Sequence, residues 1–406
     1  KGLNSSGVDV LDLGITTTGV LYRATVDLSV DAAVVITASH NPPEYNGFKI
    51  CNGTLPMAGQ ELQELKKTFD DNLFKQGNGV VKDFSHFEDQ YLDTIVSNAG
   101  KPRRKIKIAI DCGNAVPGPL TIKLMEKLDV DLIPVYCDWD DKFPNHPPDP
   151  TRPENMKDLA KSVVENNAEF GIGMDGDGDR IGVVDQEGKF IHPDRLMTIF
   201  VKDILGERKG GTESERTVFY DVKCSMALEE AIYSSGGIPK MVRTGHSFMK
   251  RELKENPDSP LAGEMSGHFF LNDRWPGFDD SLYNTARLLE IIAREPSPEE
   301  GGPKFSDWFE DLPKYASTGE AKVPLTMNRI ETMDSVERKF SDMKYSNVDG
   351  VRVSYPEGWF LCRPSNTEPI LVMRAEADDE EGLVNIKQDV EERLGEIINL
   401  EKFHNA

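Results

Sequence analysis

Positive charge, paired cysteines and long apolar runs are all scarce in this chain, and each scarcity removes a class of function. Lys and Arg total 47 against 70 Asp and Glu, a formal net charge of −23. Binding to nucleic acid needs a dense basic face, so nucleic acid is excluded as a partner. Anionic small molecules are not excluded, because a few Lys and Arg focused in one cleft override a negative exterior. The acidic excess serves solubility, and residues 376–381 (EADDEE) read as the solvated start of a helix. Five cysteines, Cys51, Cys112, Cys137, Cys224 and Cys362, are odd in number and lack C-x-x-C spacing. They read as reduced thiols of a cytoplasmic protein, with no disulfide or zinc framework. Apolar runs reach only five or six residues, well short of a membrane span, and the residues after Lys1 do not read as a leader.

At 406 residues the chain is too long for one ordinary core, and two to four domains are expected. Strand-like runs at 8–13 and 33–36 alternate with a polar helix near 60–70, and 33–36 reads as a buried strand. A fresh strand at 105–111, a helix at 119–128, a strand at 132–136 and a proline-rich loop at 143–150 follow. A helix near 155–166 leads into the run 169–174 and a dense acidic loop. Strands and helices alternate again over 190–295, and 295–304 reads as an exposed connector. Beyond 315 come short strands, a helix at 330–342 and a terminal helix at 381–400. The pattern is several βαβ units, each ending a strand in a polar loop, plus a smaller α+β tail. Such folds bind ligands at the carboxyl ends of their strands.

Four loops carry residues suited to chemistry. Ser39 and His40 lie in Thr37-Ala38-Ser39-His40-Asn41-Pro42, where Pro42 and Pro43 bar a helix. Neighbours on a strand face opposite ways, so no Ser39–His40 pair is expected and the serine needs activation from elsewhere. Asp175-Gly176-Asp177-Gly178-Asp179-Arg180 places three carboxylates at alternate positions, a pattern that wraps a small hard cation. An EF-hand does not fit, because Arg180 and Gln186 replace its required Gly and Glu. A dinucleotide fingerprint at Gly171, Gly173 and Gly176 fails too, since 181–185 reads as a strand and not a helix. Glu264 and Ser266, in Gly263-Glu264-Met265-Ser266-Gly267-His268, suit sugar hydroxyls. Arg363-Pro364-Ser365-Asn366-Thr367-Glu368-Pro369 offers an arginine, hydroxyls, an amide and backbone N–H groups to an anion. Lys49 reads as a buried lysine able to exchange protons once its pKa is lowered, and Lys223, Arg243 and His246 are further basic candidates.

In order and spacing, these four motifs resemble the α-D-phosphohexomutase superfamily, most closely its phosphomannomutase/phosphoglucomutase branch. Met265 and Gly178 are similar to that branch, since phosphoglucosamine mutases usually carry Gln and Ala there. The resemblance implies three α/β domains of similar topology, with mixed sheets and flanking helices, and a smaller α+β C-terminal domain around a central cleft. The expected divisions are 1–100 for the phosphoserine, 101–190 for the metal, 191–312 for the sugar and 313–406 for the distal phosphate. It implies reversible transfer between hexose 1-phosphate and hexose 6-phosphate, through a phosphoserine at Ser39 and a hexose 1,6-bisphosphate that also acts as activator. The implied catalytic set is Ser39, Lys49, His40 and Arg180, with Ser39, Asp175, Asp177 and Asp179 holding Mg²⁺. The implied sugar contacts are Glu264, Ser266, His268, Lys223 and His246. Arg363, Ser365, Asn366 and Thr367 are the implied phosphate contacts.

Partners are then small hexose phosphates in the cytoplasm, with no nucleic acid or membrane and a monomer favoured. Relatives in that family carry a further segment before the equivalent of Lys1, with an Arg-containing loop near the phosphoserine. An incomplete first domain is expected to expose apolar sheet surface and to lower activity and solubility. The alternatives are a phosphoglucosamine mutase, a phosphatase using an aspartyl nucleophile in the acidic loop, and an inactive phosphosugar-binding fragment.

Overall fold

The computed structural model describes residues 1–406 except 43, 209, 326–327 and 366–368. In the first unit the strand Ala32–Ile36 pairs antiparallel with Phe48–Asn52, and Val10–Asp12 lies parallel to Val81–Asp83. The strand expected to be buried is only half covered. Helix Thr18–Asp27 packs against it, while its alternate side chains face outward and leave Ile36 68% exposed. Helix Gln60–Asp70 forms where it is expected but buries none of its residues.

The second unit holds the parallel strands Phe170–Met174, Lys107–Asp111 and Asp131–Val135, extended antiparallel by Ile181–Val184 and Phe190–Ile191. All five residues of Phe170–Met174 are buried, as expected of a strand covered on both faces. The strand at Ile181–Val184 bears out the rejection of the dinucleotide fingerprint. Helix Pro117–Leu128 starts on a proline, whose missing N–H costs nothing in the first turn.

In the third unit Thr217–Asp221 lies between Ile238–Val242 and Leu261–Gly263, parallel to both, and Phe269–Leu271 closes the sheet antiparallel. The fourth unit is antiparallel, with Gly358–Pro364 paired between Val351–Tyr355 and Ile370–Ala377. Two expectations fail there. The supposed helix start at 376–381 is split, because Glu376 and Ala377 end a buried strand and the helix Glu380–Leu394 starts on the Asp379 cap. The terminal helix stops at Leu394, because Ile398, Leu400 and Phe403 turn inward to the core. Charge pattern alone does not reveal that packing.

One apolar core runs unbroken through the first three units, and a separate core fills the fourth. Where helix Phe87–Ala99 meets the third unit, Asp280 caps helix Ser281–Ile292 and accepts the Tyr91 hydroxyl at 2.8 Å. Burial pushes its carboxyl up to about 7 from the ordinary 3.8, although the Tyr91, Tyr283 and Leu282 donors oppose the change. The folded chain then keeps this proton up to about neutrality, while the unfolded chain loses it near pH 4. Stability from this group is present below about pH 4 and falls as pH rises to about 7, by roughly 1.4 kcal/mol for each step of one in pH. Asn accepts the same hydrogen bonds without titrating. Urea unfolding of wild type and Asp280→Asn from pH 4 to 8 should therefore show the variant gaining a few kcal/mol relative to wild type as pH rises. Parallel pH profiles would show that Asp280 is not held protonated.

Candidate active site

The acidic loop follows strand Phe170–Met174 and is fastened from three directions. Thr18 N donates to Asp177 O at 2.9 Å, Ser281 N to Gly178 O at 3.0 Å, and Ile181 N to Gly267 O at 3.1 Å. All three carboxylates are buried, and each offers an oxygen within 4.8 Å of the other two. Asp175 Oδ1 accepts the amides of Asp179 and Arg180 at 2.9 and 3.1 Å, while Thr18 Oγ1 donates to Asp177 Oδ2 at 2.8 Å. Asp177 Oδ1 and Asp179 Oδ1 are buried without a hydrogen-bond partner among the described residues. Burial and the other two aspartates hold the Asp175 carboxyl well above the carboxylate range. A small hard cation with oxygen ligands fits this donor set.

Ser39 reaches the same loop, its Oγ donating to Asp175 Oδ2 at 2.7 Å. Its neighbour His40 places Nδ1 3.0 Å from that Oγ, against the expectation that the two would diverge. The reason is backbone. Ser39 has φ +54, so it has left the strand and two successive side chains converge. Burial, with Arg180 adding to it, lowers the His40 imidazole to about 4. Gly176 lets the two loops touch, since a Cβ there would stand 2.0 Å from Ser39 O.

Lys49 corrects a second expectation. Its Nζ lies 2.6 Å from Asp177 Oδ2 and also pairs with Asp179. Burial opposes its charge, but these two carboxylates outweigh it and hold the ammonium well above its usual range. Lys49 is therefore held protonated, the reverse of the lowered pKa expected of a buried lysine. The same contact keeps Asp179 well below the carboxylate range despite its burial. Arg180 Nε stands 3.8 Å from both Asp175 and Asp179.

From the third unit, Ser266 Oγ donates to Glu264 Oε2 at 3.2 Å, and Gly245 N also bonds Glu264. His268 Nδ1 sits 2.8 Å from Asp279 Oδ2 and 3.6 Å from Asp179, which ties this loop to the acidic one. His246 stacks on His268 at 5.7 Å and accepts from Lys250 at 3.1 Å. Burial, reinforced by Lys250, holds His246 neutral well below its ordinary value. Lys223 pairs with Glu320 of the fourth unit at 2.8 Å. From that unit Arg363 is 5% exposed and donates to Asp349 at 2.7 Å. Ser365 N is taken by Ile370 O, so this amide of the anion loop is already used. Asn366 and Thr367 lie outside the described residues.

Sequence reasoning misses Asp279, Lys250, Glu320 and Asp349. Asp279 and Asp280 before an apolar run carry a capping signal, but nothing in their spacing points to His268. Glu320 and Asp349 pair across the chain and leave no local signature.

All four units match models of one family. These are phosphoglucomutase/phosphomannomutase alpha/beta/alpha domain I over 1–76, domain II over 89–188, domain III over 192–315 and the C-terminal domain over 320–393. The chain is 41% identical over 393 residues to a phosphomannomutase/phosphoglucomutase of Pseudomonas aeruginosa, covering 95% of this chain and 81% of that one. It is 40% identical over 396 residues to a phosphoglucomutase of Neisseria gonorrhoeae, covering 95% and 82%. A solved structure of a phosphoglucomutase/phosphomannomutase family protein from Burkholderia thailandensis superposes with a TM-score of 0.87 at 40% identity. That match covers 97% of this chain and 84% of that one.

Gly176→Ala tests whether the serine and acidic loops are pressed together. The added methyl must push Ser39 O away, and overpacking of this kind costs about 1–3 kcal/mol. Urea unfolding should show that loss. An unchanged midpoint would mean that the loops stand further apart.

Proposed function

Because the chain belongs to the phosphoglucomutase/phosphomannomutase family, we propose that it interconverts hexose 1-phosphate and hexose 6-phosphate, with glucose and mannose as the sugars. Ser39 carries the phosphoryl group between substrates, and a hexose 1,6-bisphosphate is both intermediate and activator. The observation that carries this reading is the Ser39 hydroxyl at 2.7 Å from Asp175, in a buried cluster with two further carboxylates and Lys49. Asp175, Asp177, Asp179 and Ser39 would hold Mg²⁺, which when bound neutralises charge on the transferring group. No described helix is long and apolar enough to cross a membrane. Five unpaired buried thiols accord with work in the cytoplasm.

In phosphoryl transfer the protein contributes mainly position and charge. The bond from phosphorus to Ser39 Oγ breaks as one to a sugar hydroxyl forms. The proton that the sugar gives up is the one Ser39 takes, with Lys49 Nζ as the exchanging group. Lys49 enters as the acid, giving its proton to Ser39 Oγ and recovering the one that the sugar hydroxyl loses. Arg180 balances the phosphoryl oxygens, Glu264 and Ser266 receive sugar hydroxyls, and Arg363 with Ser365 holds the phosphate that is not reacting. His246, kept neutral, and Lys223 complete the sugar contacts. The bisphosphate then turns end for end, which requires sugar contacts that serve both orientations.

A coupled assay on glucose 1-phosphate and on mannose 1-phosphate, with Mg²⁺ and priming glucose 1,6-bisphosphate, tests the reading. Turnover of both is expected, and Ser39→Ala should lower kcat by about 10⁴-fold or more, as loss of a nucleophile does. Phosphate release that survives Ser39→Ala would instead place the nucleophile in the acidic loop.

A further inference from the structure

The sugar loop of the third unit and the anion loop of the fourth are joined through one carboxylate that neither motif contains. Asp349 stands in the turn before strand Val351–Tyr355 and is 8% exposed. Its Oδ2 accepts Arg363 Nε at 2.7 Å and, from the third unit, Thr244 N at 3.2 Å. Its Oδ1 faces Arg243 Nε at 3.7 Å. The following amide, Gly245 N, bonds Glu264. A continuous polar chain thus runs Arg363–Asp349–Thr244–Gly245–Glu264. The turn is built for closeness, since Gly350 has φ +83 and a Cβ there would meet Arg363 Cα at 2.7 Å.

A guanidinium is planar and rigid, so fixing Nε fixes the direction of its two outer nitrogens. Asp349 does this on the inner edge. Arg363 Nη2 remains buried with no hydrogen-bond partner among the described residues. A buried unpaired donor on a cation is costly, and an anion is the partner that would satisfy it.

We propose that Asp349 is a positioning residue that sets Arg363 for phosphate and couples it to the Glu264 loop, holding the distal phosphate and the sugar hydroxyls at one separation while that link is closed. This rests on the mutase reading above. If it holds, loosening Asp349 weakens the grip on the distal phosphate and lets the bisphosphate escape while it turns. A residue that only braced the fold would lower thermal stability without a selective effect on phosphosugars.

The experiment measures glucose 6-phosphate affinity by calorimetry, independently of turnover, for wild type, Asp349→Asn, Arg363→Ala and the double variant. Asp349→Asn keeps shape and volume, and circular dichroism confirms folding. It is expected to bind about tenfold more weakly, the scale of a lost charge-assisted hydrogen bond. In the Arg363→Ala background the same change should cost less than about twofold, because Asp349 acts through that arginine. In turnover, Asp349→Asn should raise the glucose 1,6-bisphosphate needed for half-maximal rate and release more of it per cycle. Unchanged affinity, or losses that multiply in the double variant, would overturn the proposal. Wild-type binding without turnover would sink the mutase reading alone, and no binding by wild type would sink both.

Discussion

Three carboxylates buried within 4.8 Å of one another are the constraint around which the rest of the chain is arranged. Left alone they would repel strongly at low dielectric, and a buried unpaired charge is among the most destabilising features a protein can carry. Counter-charge therefore converges on them from separate parts of the sequence. Lys49 comes from the first unit and Arg180 from the loop itself. The buried orphan oxygens of Asp177 and Asp179 mark where this compensation stops short. Backbone amides of Thr18, Ser281 and Ile181 hold the loop to both flanking units, so the charge cluster also fixes how the units meet.

Much of this is legible in the sequence because it is local. Alternating Asp and Gly, a strand ending shortly before Ser39, and an arginine ahead of a Ser-Asn-Thr sequence are each contiguous signals. The architecture follows from the succession of strands and polar loops. What escapes depends on residues distant in sequence. Lys49 reads as a lysine of lowered pKa, since burial is visible in a sequence pattern and the paired carboxylates 128 and 130 residues away are not. Ser39 and His40 read as diverging when the strand is carried too far along the chain. Glu376 and Ala377 read as solvated, since an acidic run does not reveal that Glu376 accepts Met226 N at 2.7 Å and Trp359 Nε1 at 3.2 Å.

The seam between the third and fourth units differs in kind from the others. Its apolar part is a small cluster of Val222, Trp359 and Leu361. The remainder is polar, with Lys223 on Glu320, Arg374 Nη1 on Lys223 O at 2.5 Å, and Asp349 between two loops. A seam of that composition exposes little apolar surface when it parts, so motion between these units is the natural expectation. The unbroken core of the first three units has no such freedom, so the serine and acidic loops keep their spacing, and the fourth unit shifts against them only as the Asp349 link to Thr244 gives way.

The left-handed backbone of Ser39 also decides which hydroxyl amino acid can occupy that position. At φ +54 a second substituent on Cβ is crowded by the adjoining peptide, and β-branched residues are genuine outliers in this region. Threonine offers the same nucleophilic oxygen as serine, yet it would bear this strain at the point where the oxygen must meet Asp175. The geometry of one dihedral angle thus acts as a filter on side-chain chemistry, admitting serine in place of threonine for steric reasons quite apart from reactivity.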